Sequence, residues 1–291
     1  MNFDTPLTNA DINIRDPFIL TENGIYYMYG TSGKNFGVQS GCFNVWIGTD
    51  LLHWSAPIKV FDADAYSMND GVNWAPEVHK YNGKYYMCAT FTLPGTDRRG
   101  THILIADSPA GEFVPHSAGS ITPQAWWALD GTLYFENNVP YMVFCHEHVQ
   151  IGNGTVEYVR LSDDLKHAVG MPVTLFRGSD AYGTEDSRGE RYVTDGPFLY
   201  RHTDGTLSMI WSTIQGGNYV QCRAVSTDGT LGGTWTQSPH LFSENGGHGM
   251  LFRDLNGTLI LTLHSPNRSG EERPVFIPMA ERGRELHCYN L

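Results

Sequence analysis

Five stretches of this chain follow one plan, and their spacing constrains the fold more than any other feature. They are RDPFILTENGIYYMYG (Arg15 to Gly30), WAPEVHKYNGKYYM (Trp74 to Met87), LDGTLYFENNVPYMVF (Leu129 to Phe144), TDGPFLYRHTDGTLSMIW (Thr194 to Trp211) and GHGMLFRDLNGTLILTL (Gly247 to Leu263). Each opens with a short polar punctuation, runs on with β-forming residues, turns, and returns as a second aliphatic or aromatic run. The turns Asn23-Gly24, Asn82-Gly83, Asp204-Gly205 and Asn256-Gly257 carry hairpin chemistry. One ionisable residue opens each unit: Asp16, Glu77, Asp130, Asp195 and His248. These openings recur at intervals of roughly 53 to 65 residues, the range of propeller blades.

Further strand-like runs follow within the units, such as Phe43 to Gly48, Thr101 to Ala106, Val156 to Leu161, Val220 to Val225 and Pro274 to Met279. Arg177 to Tyr192 is the longest stretch without strand character. No window of twelve or more residues holds a 3.6-residue apolar period, so helix is expected to be scarce. With 32 Gly, 15 Pro and 17% charged residues, the chain suits short strands joined by tight loops. No linker or composition shift divides it. The expectation is a single all-β domain over residues 1–291, a five-bladed β-propeller with four antiparallel strands per blade. The innermost strand of each blade lines the central channel. The five openings should therefore meet at one mouth of the axis.

Charge and cysteine usage narrow the partners. A formal charge of −12 leaves no basic stripe for nucleic acid and disfavours anionic membranes, while a neutral sugar suits such a surface. The five cysteines are odd in number, widely spaced and mostly in apolar runs, which argues for a reducing compartment. The N-terminal residues MNFDTPLTNADINIRD lack a basic and an apolar region, and no apolar stretch is long enough to span a bilayer. A cytoplasmic location is the expectation. Oligomeric state is not readable.

Three aspartates, a glutamate and a histidine in one funnel have two chemical readings. Glycosidic hydrolysis needs an acid for the leaving oxygen and a carboxylate to drive water or attack the sugar. Crowding of like charges raises at least one pKa and supplies that acid. The same cluster is equally compatible with a cation site.

At these residues the chain resembles family 43 of the glycoside hydrolases, nearly over its whole length. The similarity of RDPFIL to the first-blade motif implies a general base at Asp16. That of LDGTLY to the third-blade motif implies that Asp130 tunes and orients the acid. The fourth-blade motif usually has Glu before Gly-Pro as general acid, but TDGPF puts Asp195 there. Asp is one methylene shorter, setting the proton donor back by about 1.5 Å. Glu147 and Glu77 are the alternative acids. The family inverts at the anomeric carbon, which implies water activated by Asp16. His248 resembles the fifth-blade axial histidine, often beside a calcium ion and its waters. Imidazole is a poor ligand for a hard cation, so contact through water is the better expectation. No catalytic cofactor is implied.

Trp74 and Trp127 flank blade openings and are candidates to stack on a sugar face. His146, His264 and Arg268 are candidates to bind its hydroxyls. His146 and His148 would share one face of a strand, with Glu147 opposite. Trp46, Trp54, Trp211 and Trp235 are expected to pack between blades. No phosphate loop and no Gly-x-Ser-x-Gly elbow is present. The resemblance implies an inverting glycosidase on oligosaccharides of plant polysaccharide, with β-xylosides or α-L-arabinofuranosides first. The rivals are a propeller glycosidase or phosphorylase of other specificity and a non-catalytic sugar-binding propeller.

Overall fold

The computed structural model describes residues 6–32, 41–68, 71–184 and 191–289. They form five antiparallel sheets arranged as the blades of a propeller. Blade two is Asn73–Tyr81, Lys84–Thr92, Arg99–Ala106 and Val114–Pro115, from axis to rim. Blade three is Ala128–Glu136, Val139–His146, Thr155–Leu161 and Ala168–Arg177. Blade four is Asp195–Arg201, Leu207–Gln215, Asn218–Ser226 and Trp235–Phe242, and blade five Gly247–Arg253, Leu259–Ser265, Arg273–Arg282 and Glu285–Cys288. In blade one the inner strands are Ile14–Glu22, Ile25–Ser32 and Cys42–Gly48. Its outer edge is divided between Ile58–Asp62 and His53–Trp54, and His53–Trp54 also pairs with Leu7–Thr8 from the lead-in segment. The expected five blades of four strands are present. Among the described residues the longest helix is His148–Ile151, and none is long and apolar enough to cross a membrane.

Blade five meets blade one directly. Arg15 pairs with Glu272 at 3.0 Å, and the Tyr26 hydroxyl accepts the amide of Leu255 at 2.7 Å. Between blades the core is aromatic: Trp54 stacks on Phe276 at 6.0 Å and Trp211 packs on Phe176 at 5.2 Å. Both indoles are fully buried, and Trp46 and Trp235 are also buried, as their positions within strands predicted. Each such side chain contributes roughly 2–3 kcal/mol of hydrophobic stabilisation.

One backbone device repeats in every inner strand and sets the site. Register slips by one residue between Arg15 and Phe18, Trp74 and Glu77, Leu129 and Thr132, Asp195 and Phe198, and Gly247 and Met250. The first bulged residue is left-handed each time: Asp16, Ala75, Asp130, Gly196 and His248, at φ of 56, 46, 56, 49 and 49°. The next is Pro17, Pro76, Gly131, Pro197 or Gly249. Pro has no N–H to place. Where Gly stands instead, its amide is donated to a side chain of the preceding blade's third strand: Gly131 to Thr101 at 3.2 Å and Gly249 to Gln221 at 2.8 Å.

This corrects the expected phase of the repeat. Ala75 rather than Glu77, and Gly196 rather than Asp195, hold the axial bulge position. Aligning the units on their ionisable residues displaced two of the five. The backbone aligns them on the left-handed residue before Pro or Gly.

Candidate active site

The bulges open onto a cleft of about 550 Å³, lined by residues of all five blades. Blade one gives Arg15 and Asp16, blade two Trp74 and Arg99, and blade three Asp130, Glu147 and His148. Blade four and the segment before it give Thr194, Asp195, Ile214 and Tyr219, and blade five His248 and Asn267.

Asp16 is buried, and its amide is donated to Nδ1 of fully buried His264 at 3.1 Å. Its Oδ1 lies 3.2 Å from Nδ1 of His248. Burial pushes the carboxyl up, but His248, Arg15, His264 and a hydrogen bond from Thr31 outweigh it and hold it below the ordinary carboxylate range. Burial, with Arg15 nearby, drives His264 down to about 3. At neutral pH His264 is uncharged, so its Nδ1 acts on Asp16 as an acceptor for the amide, while Arg15 supplies permanent positive charge.

Asp130 has the opposite fate. Burial comes first, then the charge and hydrogen bond of Asp195, then Asp16, and together they raise its pKa well above the usual value. Asp130 therefore favours its protonated form, hydrogen-bonded to the Asp195 side chain. Its Oδ2 also accepts the amide of Gly196 at 3.1 Å. Asp195 is the more exposed partner, and Tyr219 donates its hydroxyl to Asp195 Oδ2 at 2.9 Å. His248 Nδ1 lies between the two halves, 3.2 Å from Asp16 and 3.7 Å from Asp130.

The remaining candidates divide. Glu147 lines the cleft, buried, with its oxygens 2.7 and 2.6 Å from Nη1 of Arg99. Burial outweighs Arg99 and raises its pKa. Glu77 is buried outside the cleft lining, 3.3 Å from His79, because it sits two residues past the bulge. Trp74 lines the cleft. Trp127 reaches it through Arg99, whose guanidinium lies 4.8 Å from both indoles. His146 is turned away, stacked on Trp126 at 4.1 Å and bonded to Gln150 at 2.8 Å. His264 lies beneath Asp16. Arg268 is exposed, pairs with Glu271 at 3.4 Å and is not in the lining. His146, Glu147 and His148 do not alternate along a strand, because the strand ends at His146 and a helical turn begins at His148.

Arg99 and Tyr219 belong to the site and were not among the expected residues. Arg99 is the first residue of the third strand Arg99–Ala106, and Tyr219 the second residue of the third strand Asn218–Ser226. The available signal was positional, since the start of a third strand lies at the same end of its blade as the start of the first.

Asp130, Asp195 and His248 also offer ligand atoms within 4.8 Å of one another. A calcium ion takes about six to eight oxygens. Two carboxyls, one of them protonated, and an imidazole do not fit direct ligation. Among the described residues, Nε2 of His248 is buried without a partner and fits a contact to water.

Comparison with known proteins agrees with this geometry. The family model for glycosyl hydrolases family 43 matches residues 4–283. An endo-arabinase from Bacteroides thetaiotaomicron superposes with a TM-score of 0.86 at 36% identity, over 97% of this chain and 99% of that one. An endo-1,4-beta-xylanase from the same species gives 0.77 at 20% identity, over 99% and 97% of the two chains. An alpha-L-arabinofuranosidase from Lactobacillus brevis gives 0.75 at 20% identity, over 94% and 92%. No curated protein matches. With the family matched over almost its full length, the chain belongs to glycosyl hydrolase family 43 and is a glycosidase.

Proposed function

We propose that the protein is an inverting glycosidase of arabinan or xylan fragments, with α-L-arabinofuranosyl linkages first because the endo-arabinase is 36% identical. One observation carries the mechanism: a single cleft holds Asp16, whose carboxyl His248 and Arg15 lower despite its burial, and Asp130, which burial and its hydrogen-bonded partner Asp195 raise. Environments that drive neighbouring carboxyls apart assign base and acid. Asp16 takes a proton from the water that attacks the anomeric carbon. Asp195 gives a proton to the glycosidic oxygen, which leaves with the bonding electrons. Asp130 relays its proton to Asp195, to which it is hydrogen-bonded. Trp74 and Trp127, with Arg99 between them, form a wall for the sugar. No step calls for a cofactor, and a cation would act only through water at His248.

A second reading places the acid at Glu147, favoured by its raised pKa and its position in the cleft. The two short contacts to Arg99 oppose it, since an ion pair keeps the carboxylate charged. Product release from α-L-arabinofuranosyl and β-xylosyl oligosaccharides tests both readings, with NMR of the first-formed anomer. Asp16→Asn is expected to lose at least about a hundredfold, and Asp195→Asn about 10²–10⁴-fold on natural leaving groups. Loss with Glu147→Gln but not Asp195→Asn transfers the acid role. Equal turnover by wild type and Asp16→Asn would sink the mechanism.

A further inference from the structure

We infer that Tyr219 is the positioning residue for Asp195: the phenol donated to Asp195 Oδ2 at 2.9 Å holds this short carboxyl against the leaving oxygen. The inference rests on reading Asp195 as the general acid.

Asp195 needs such a support. It stands one residue ahead of the bulge, where the other blades carry Arg15, Trp74, Leu129 and Gly247. The backbone device that fixes Asp16 and Asp130 therefore does not fix its side chain. Two neighbours do so instead, Asp130 and Tyr219. A carboxyl held from both sides cannot swing out of line, and alignment within hydrogen-bond reach is what proton transfer demands.

Tyr219 is itself held rigidly. Its ring is buried and stacks on His264 at 5.5 Å with 23° between planes. Its amide is donated to Asn245 Oδ1 at 3.2 Å. Gly247 makes room for the ring, since a Cβ there would come within 2.8 Å of Tyr219 Cε1. Burial and the charge of Asp195 keep the phenol protonated far above its ordinary range, so it is a donor throughout the working pH. A donor to the ionised form makes a carboxyl a stronger acid. Asp130, His248, Glu147, His148, the Cys145 thiol and Tyr219 are the titratable groups around Asp195.

The test is Tyr219→Phe, which keeps the ring and removes only the donor. Two substrates with the same glycosyl group are compared, one with a sugar leaving group and one with 2,4-dinitrophenolate, which departs without protonation. Loss of a hydrogen bond to a charged group predicts a kcat about 10- to 100-fold lower on the sugar and within about twofold on the dinitrophenyl substrate. The basic limb of the pH profile should rise by about half to one unit, with KM nearly unchanged. Thermal melts of both proteins control for folding. Equal loss on both substrates, or an unmoved pH profile, overturns the inference. Asp195→Asn separates the two levels. If it retains activity on the sugar substrate, the acid assignment fails. If it loses that activity while Tyr219→Phe matches wild type, only the role of Tyr219 fails.

Discussion

The amide of Gly196 is donated to the side chain of Asp130, and this departs from a pattern kept by the other four blades. The amides of Asp16, Ala75, Asp130 and His248 go to His264 at 3.1 Å, Thr31 at 2.9 Å, Thr90 at 3.0 Å and Ser212 at 2.8 Å. Each acceptor lies at one position, on the second strand of the preceding blade opposite the residue before the bulge. In blade three that position is Cys145, opposite Leu129. A thiol is a weak acceptor, so the amide turns to the Asp130 carboxyl.

Cys145→Ser restores a hydroxyl at that position and draws the Gly196 amide back to the second strand. Asp130 then loses a donor to its ionised form and holds its proton to higher pH. The basic limb of the pH–rate profile is expected to move up by about half a unit, with little change in melting temperature. An unmoved limb would show that the amide stays on Asp130.

Asp130 works against the stability of the fold. Its folded pKa lies above its unfolded value of 3.8. The resulting stabilisation is full below 3.8 and is lost as pH rises toward the folded value, so at neutral pH the buried carboxyl is a liability. Asp130→Asn removes the titration and keeps an oxygen for Gly196. Melts at pH 7 should show a variant at least as stable as wild type, yet with activity at least about a hundredfold lower. A variant both unstable and inactive would mean that the pair is chiefly structural.

His264 has the converse linkage. Its pKa falls from 6.5 to about 3 on folding. Between those values the unfolded chain binds a proton that the native one refuses, so stability drops as pH falls, by up to about 1.4 kcal/mol per unit. His102, lowered to about 4 by burial, adds to the slope over the upper part of that window. In His264→Asn, the amide oxygen takes the place of Nδ1 as acceptor for Asp16, without titrating. Denaturant unfolding from pH 6.5 to 4 should have a slope shallower by about one proton. An unchanged slope would place the acid sensitivity elsewhere.

The sequence made the architecture legible because hairpin turns and alternating aromatic strands are local signals. Asp16 and Asp130 were legible for the same reason, each being followed by Pro or Gly in a strong motif. Glu77 was misplaced because a charge just after Trp-Ala-Pro resembles an opening, whereas the strained backbone residue is Ala75. Arg268 was assigned from its proximity in sequence to His264, but the chain has turned outward by then. Arg99 and Tyr219 have no counterpart in the repeat. Their place in the site comes from what stands opposite them, Glu147 with two indoles for Arg99 and Asp195 for Tyr219, and such pairings between separate segments leave no mark on one strand's pattern.

The bulge positions make a last prediction of unequal outcomes. Ala75 tolerates φ 46° at a cost of about 1 kcal/mol. Ala75→Gly removes that strain but loses a buried methyl and adds unfolded-state entropy, so the net change should stay within about 0.5 kcal/mol. Gly196→Ala instead adds strain at φ 49° and places a Cβ 2.6 Å from Cδ2 of His248. It should cost at least about 2 kcal/mol and push the imidazole off Asp16 and Asp130, so activity falls with stability. The double variant Gly196→Ala with His248→Ala relieves the clash. Urea unfolding of the four proteins should therefore show a favourable coupling of about 1 kcal/mol or more between the two positions. Strict additivity would mean that the ring moves aside at no cost and that Gly196 is there for its backbone alone.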